Sequence, residues 1–146
     1  MSEYRVETAP FESPRYEQAL ALREQLLRKP LGLVMIEDDR AGDANRTHLV
    51  AMDDDKVIGG VSHYMDGPTV LRIKQMVVDP GYQGKGIGAL LMQHAEAHGF
   101  QEGVDKVMLH ARLNAQVFYE KLGYSTVGDE FLEKTIPHIR MEKSLR

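Results

Sequence analysis

Cysteine is absent from the 146-residue chain. Its absence excludes a disulfide framework, a thiolate zinc site and a cysteine nucleophile, and fits a reducing, cytoplasmic setting. No apolar run approaches the roughly 18 residues that a membrane span needs. The opening segment MSEYRVETAP lacks the basic-then-apolar pattern of a signal peptide. A soluble intracellular protein with no membrane partner is therefore expected. An excess of positive charge is missing as well: 18 basic against 22 acidic side chains leave a net charge of −4. With no block of lysine or arginine, nucleic acid is not an expected partner. Internal repeats, low-complexity tracts and long linkers are also missing, so residues 1–146 read as a single domain. What is present is an ordinary globular composition, 42% hydrophobic and 27% charged, sufficient for a core.

Periodicity divides the chain into alternating elements. Residues 4–8 read as a strand, and 16–28 as an amphipathic helix carrying Ala19, Leu20, Leu22, Leu26 and Leu27, closed by Pro30 and Gly32. Residues 37–45 are polar and turn-rich. Segments 47–52 and 56–64 flank the turn Asp53-Asp54-Asp55 as a hairpin, and 70–78 is a third strand ending at Asp79-Pro80-Gly81. Together these make an antiparallel meander. Beyond Gly84 the period becomes helical through Ile87, Leu90, Leu91 and Ala95 to a stop at Gly99. A strand over 104–111, a helix over 114–122 with Asn114 as its N-cap, and strands over 124–127 and 139–143 complete the pattern. The expected fold is α/β (α+β), a mixed, mostly antiparallel sheet of about six or seven strands with helices on both faces.

The informative stretch runs from Val77 through Gly88, where a strand hands over to a helix. Glycines at 84, 86 and 88 let the backbone turn tightly, and the unpaired N–H groups of the first helical turn then converge on one point. Such a point favours a phosphate or diphosphate, with Lys85 adding positive charge. A Walker A loop does not fit, because Gly81 stands only three residues before Gly84 and Lys85 is followed by Gly86. A dinucleotide fingerprint can be forced as Gly84-x-Gly86-x-x-Ala89 with Asp105 as the ribose acid. A meander precedes that stretch, however, and Asp105 falls at the start of the next strand instead of its end.

On these residues the chain resembles the GNAT superfamily of acetyl-CoA-dependent N-acetyltransferases. Gln83-Gly84-Lys85-Gly86-Ile87-Gly88 matches that family's [QR]-x-x-G-x-[GA] loop. Residues Asn114 to Tyr124 match its N-x-x-A-x-x-x-Y-x-x-x-G-[FY] region, with Ala115 one place early. Order and separation agree too. Leu22-Arg23 through Gly32, and Ile136-Pro137-His138-Ile139-Arg140-Met141, are similar to a bacterial branch of uncharacterised members.

The resemblance implies that acetyl-CoA binds with its pantetheine in a gap beside the strand that precedes the loop. Backbone groups of Met76, Val77 and Val78 would pair with its amides, and the N–H near Val77 would polarise the thioester carbonyl. Gln83, Gly84, Lys85, Gly86, Ile87, Gly88 and Asn114 are the remaining cofactor-binding candidates. Tyr119 is the implied general acid toward the departing thiolate. His110, at the end of the following strand, is the candidate base, and His138, in the turn around Pro137, a candidate lining of the acceptor pocket. Gln75 can position a water but cannot be a base. The expected reaction is direct transfer to a primary amine, on a small molecule or a protein, in a ternary complex, with a homodimer through the last strands implied by resemblance. The reading set against it is a non-catalytic acyl-CoA-binding module.

Two further constellations point elsewhere and are set aside. His94 and His98 stand one helical turn apart, but Glu96 does not occupy the place that H-E-x-x-H requires, so no metal is expected there. Asp53 to Asp55 is too short for a calcium loop and reads as a turn.

Overall fold

The computed structural model of the chain describes residues 4–28 and 37–146. Seven strands form a mixed sheet in the order β1-β2-β3-β4-β5-β7-β6, in line with the expected architecture. They are β1 (Arg5–Thr8), β2 (Thr47–Asp53), β3 (Lys56–Met65), β4 (Val70–Val78), β5 (Lys106–Arg112), β6 (Ser125–Glu133) and β7 (Ile136–Ser144). Among the described residues four α-helices accompany them: α1 (Pro14–Arg23), α2 (Glu37–Asp43), α3 (Ile87–Gln101) and α4 (Gln116–Lys121). Pairing is parallel between β4 and β5, and antiparallel for β1–β2, β2–β3, β5–β7 and β6–β7. The backbone groups into two compact units, residues 1–64 with 75–95, and residues 65–74 with 96–146.

In the first unit, α1 begins where the sequence can satisfy its free amides. Ser13 Oγ accepts from the Tyr16 N–H at 3.3 Å and Pro14 occupies the first turn. The helix packs Tyr16, Ala19 and Leu20 into a core with Ala9, Val50, Met52 and Val57, bordered by Phe11 and Leu22. It ends earlier than periodicity predicts: from Glu24 to Arg28 the chain winds as a π-turn. The expected stop at Pro30 and Gly32 lies outside the described residues. The polar segment expected as a turn is instead α2 over Glu37–Asp43. No apolar stripe announces it. Its last residue, Asp43, is fully buried and bonded to Tyr16 and Arg23 of α1, so tertiary contacts override weak local propensity.

In the second unit, α3 runs two residues beyond the expected stop. Gly99 is an interior position, where an added Cβ would stand 3.2 Å from the Leu71 side chain and 3.5 Å from Val104. The termination is a Schellman motif at Gly103 (φ +83°), with Val104 N–H on the Gly99 carbonyl at 2.9 Å and Gly103 N–H on Phe100 at 3.1 Å. The same device closes α4: Gly123 (φ +99°) donates to Glu120 at 3.0 Å and Tyr124 to Tyr119 at 3.1 Å. Residues 124–127 were expected as a short strand, whereas β6 extends to Glu133. It does so across a register shift beside Gly128 (φ +78°), the signature of a bulge that breaks the alternation used to read it.

Among the described residues no helix is long and apolar enough to cross a membrane.

Candidate functional site

The loop between β4 and α3 is shaped by side chains of the first unit. Asp79 Oδ1 accepts from the Gly81 N–H at 2.9 Å, and the Asp79 carbonyl accepts from Tyr82 at 2.8 Å, which forms a single 3₁₀ turn over Pro80–Tyr82. Tyr82 then donates its phenol to Asp53 Oδ2 at 2.5 Å and lies under Lys56, whose Nζ is 5.4 Å from the ring. The Asp53 hydrogen bond, more than any burial, pushes the Tyr82 pKa up to about 12. Asp53 thus ties the β2–β3 turn to the loop, a role that reading it only as a turn residue does not reveal.

Past Tyr82 the backbone takes a form that only glycine accepts easily. Gly84 (φ +76°) and Gly86 (φ +78°) are both left-handed, and a Cβ on either would meet nothing within 4 Å. Lys85 between them is exposed, as is Gln83, whose Nε2 donates to the Val78 carbonyl at 3.3 Å. The first bond of α3 runs from Leu90 N–H to the Gly86 carbonyl at 3.0 Å. The amides of Ile87, Gly88 and Ala89 therefore precede any intrahelical bond and point ahead of the helix. Open space over two left-handed glycines, a helix start and an adjacent lysine suit a diphosphate.

Behind the loop the packing is tight. Gly59 of β3 lies so close to β4 that an added Cβ would stand 3.0 Å from the Val77 carbonyl oxygen and 3.1 Å from Ile87 Cγ2. Gly59→Ala should cost about 1–3 kcal/mol in denaturant unfolding, because the obstacle is backbone. Unchanged stability would contradict this close approach.

Met76, Val77 and Val78 lie on β4 beyond its parallel ladder with β5, which joins Val70–Arg72 to Lys106–Met108. Gln75, just before them, has φ +63° in the middle of the strand. A left-handed conformation at a non-glycine residue costs on the order of 1–2 kcal/mol and re-aims the backbone that follows. Its Oε1 is buried without a hydrogen-bond partner among the described residues and can accept from an N–H or a water.

The second unit carries the other candidates. Tyr119, on α4, is 6% exposed. Its ring meets Phe118 and Tyr124 edge-on, with centroids at 4.9 and 5.8 Å. Desolvation alone lifts its phenol to about 12, so it is a neutral donor at physiological pH. Asn114 is not the N-cap expected: it lies within a 3₁₀ turn over Leu113–Ala115, and Ala115 caps α4 without a side-chain bond. The 3₁₀ turn shifts the helix start by two residues and leaves the exposed Asn114 amide available for other contacts.

His110 lies on β5, and His138 lies in β7 itself, 6% exposed, instead of in a turn. Pro137 is tolerated there within the strand's ladder to β6 opposite Leu132. Glu133 of β6, which sequence reasoning missed, stands between them: Oε1 is 3.1 Å from His110 Nδ1 and Oε2 is 3.6 Å from His138 Nε2. Burial raises the Glu133 pKa, but the hydrogen bond from His110 and the charges of both histidines and Lys74 outweigh it, and the carboxyl sits below its ordinary range. Arg72 of β4 completes the cluster, with a terminal nitrogen 2.9 Å from His110 Nδ1. The available signal for Glu133 was its place three residues before the Ile136-Pro137-His138 stretch.

A family model described as an acetyltransferase (GNAT) domain matches residues 16–145. Two uncharacterized acetyltransferases of Streptococcus pyogenes are each 33% identical over 94 residues, which span 64% of this chain and 64% of theirs. The match thus spans less than two thirds of those relatives' length. Among solved structures, one from Lactobacillus plantarum superposes with a TM-score of 0.85 at 24% identity, covering 98% of this chain and 99% of that one. An aminoglycoside 6'-N-acetyltransferase complexed with coenzyme A gives 0.78 at 18% identity over 96% of each chain. Escherichia coli ElaA gives 0.77 at 22% identity over 98% and 99%. These structures share the fold, and the family model, covering most of the sequence, decides the rest: the chain belongs to the acetyltransferase (GNAT) family.

Proposed function

We propose that residues 1–146 act as one acyltransferase domain, moving an acyl group, acetyl in the first instance, from acyl-CoA to a primary amine by direct attack in a ternary complex. The observation that carries this reading is the pair of left-handed glycines, Gly84 and Gly86, opening α3 in a chain of this family. Acyl-CoA supplies the activated thioester. The amides from Gly84 to Gly88 hold its diphosphate with Lys85 and Gln83 beside them, and the backbone of Met76, Val77 and Val78 pairs with its amide arm. A backbone N–H near Val77 would be a fixed dipole where negative charge develops on the carbonyl oxygen. Tyr119 donates a proton to the leaving thiolate, His110 takes one from the amine, and His138 lines the acceptor pocket with Asn114 near the cofactor. A cytoplasmic setting and a homodimer through the last strands belong to the same reading.

The test follows free CoA release across a panel of amines. Release that depends on at least one amine is expected, and release independent of every amine would reduce the activity to thioester hydrolysis. A second measurement addresses the loop. Gly86→Val forces a β-branched residue to φ +78°, which costs on the order of 1–3 kcal/mol. CoA affinity by calorimetry should therefore fall roughly tenfold or more. Unchanged affinity would contradict the loop assignment.

A further inference from the structure

One ring nitrogen of His110 has two claimants. Arg72 of β4 places a terminal guanidinium nitrogen 2.9 Å from Nδ1, and Glu133 of β6 places Oε1 3.1 Å from the same atom. A guanidinium can only donate and a carboxylate can only accept. Arg72 therefore needs a lone pair on Nδ1, which puts the proton on Nε2, whereas Glu133 needs a proton on Nδ1, which leaves Nε2 bare. No neutral imidazole satisfies both. Phe131 of β6 packs its ring edge-on against His110 at 4.8 Å and limits how far the imidazole can turn between them.

We infer that Glu133 is a positioning residue: it holds His110 in the Nδ1–H form and thereby makes Nε2 the proton acceptor, while Arg72 favours the opposite, incompetent form. The inference rests on the reading of His110 as the base. When His110 takes the amine proton, both ring nitrogens carry hydrogen, and Nδ1–H can then be received only by Glu133. Starting from the Glu133-bonded form, transfer needs no exchange of tautomers and no retreat of Arg72.

The surroundings fit this assignment. His138 does not compete with His110 for the carboxylate: its Nδ1 donates to the Ile136 carbonyl at 2.7 Å, so the neutral ring has no proton on Nε2, which lies 3.6 Å from Glu133 Oε2. Arg72 is poorly satisfied, its Nε being buried without a partner among the described residues. Lys74 lies on the same strand and acts electrostatically on Glu133. Arg140, opposite His110 in the β5–β7 ladder, is occupied by Glu142 at 2.8 Å and does not compete.

The deciding measurement is the nitrogen-15 spectrum of histidine-labelled protein, recorded without substrate and with the imidazole of His110 in its neutral form. Wild type should show a protonated Nδ1 and a bare Nε2 on His110. Glu133→Ala should convert it to the Nε2–H form held by Arg72, and Arg72→Gln should leave Nδ1–H in place. An Nε2–H form in wild type or in Arg72→Gln overturns the inference, as does Nδ1–H persisting in Glu133→Ala. If Glu133→Ala does not fold, the other two spectra still decide. In turnover, Glu133→Ala should lower kcat about tenfold or more with KM nearly unchanged, and shift the acidic limb of the rate profile. Full turnover with an unchanged acidic limb in His110→Gln would refute the base, while the spectra would still report separately on Glu133.

Discussion

Tyr119→Phe should lower turnover by about 10²-fold, at the lower end of what a general acid contributes, with CoA affinity retained within a few-fold. The figure follows from the phenol's surroundings. Burial without a neighbouring charge raises its pKa to about 12, so the proton is present throughout the working pH range but is released reluctantly. A free thiol, with a reference value near 8.5 by analogy with cysteine, would be a poor match for it. On the proposed reading the leaving thiolate would form beside this buried ring, where desolvation would raise its pKa in the same direction. The two are brought closer and the transfer becomes feasible, though not optimal. An alkaline limb from Tyr119 should therefore be missing from the kcat profile below about pH 10. The substitution spares the fold: the ring contacts with Phe118 and Tyr124 survive, and Tyr124 keeps its own bond to Glu96 at 2.8 Å. Undiminished turnover with a good amine would remove Tyr119 from the chemistry. A wild type that binds CoA and acylates no amine would instead favour a binding module.

The strand-to-helix loop was legible because its physics is local. Gly84 and Gly86 need left-handed backbone, and that need is written in the residues themselves. The end of β4 was legible for the same reason, at Asp79-Pro80. Where the determinants are distant in sequence, local reading failed. The segment Glu37–Asp43 is helical because Asp43 meets residues 20 and 27 positions away. Gly99 lies inside α3, where its lack of a Cβ leaves room for the Leu71 side chain of β4, and the helix stops only at Gly103. Glu133 could not be assigned from composition: it follows a bulge at Gly128 that resets strand register, and its meaning comes from His110, 23 residues earlier. The left-handed Gln75 was equally hidden, since glutamine has no intrinsic preference for that conformation.

Asp43→Ala should destabilise the fold by about 3–5 kcal/mol, the cost of leaving a buried charge without its partner. Asp43 is fully buried at the end of α2 and accepts from Tyr16 at 2.6 Å, Arg23 at 2.8 Å and Arg46 at 3.2 Å. Arg23, itself 4% exposed, would lose its ion-pair partner. The backbone carbonyl of Asp43 can only accept, so His48 donates from Nε2 at 2.9 Å and receives the Ser62 hydroxyl on Nδ1 at 2.8 Å. That is a neutral imidazole, and burial accordingly holds its pKa below 6.5. The sign of the pH effect follows. As pH falls below about 6.5, the unfolded chain protonates His48 before the folded one does, so stability declines through the window between the two values. Burial alone would raise the Asp43 pKa, but the bonds from Arg23 and Tyr16 outweigh it and hold it below 3.8. Its contribution is therefore complete above about pH 4 and disappears only in strong acid. Chemical denaturation of wild type and His48→Gln from pH 7 to 4.5 separates the two groups: wild type should lose stability across that range and the variant should lose less. Equal slopes would show that His48 is not the group taking up the proton.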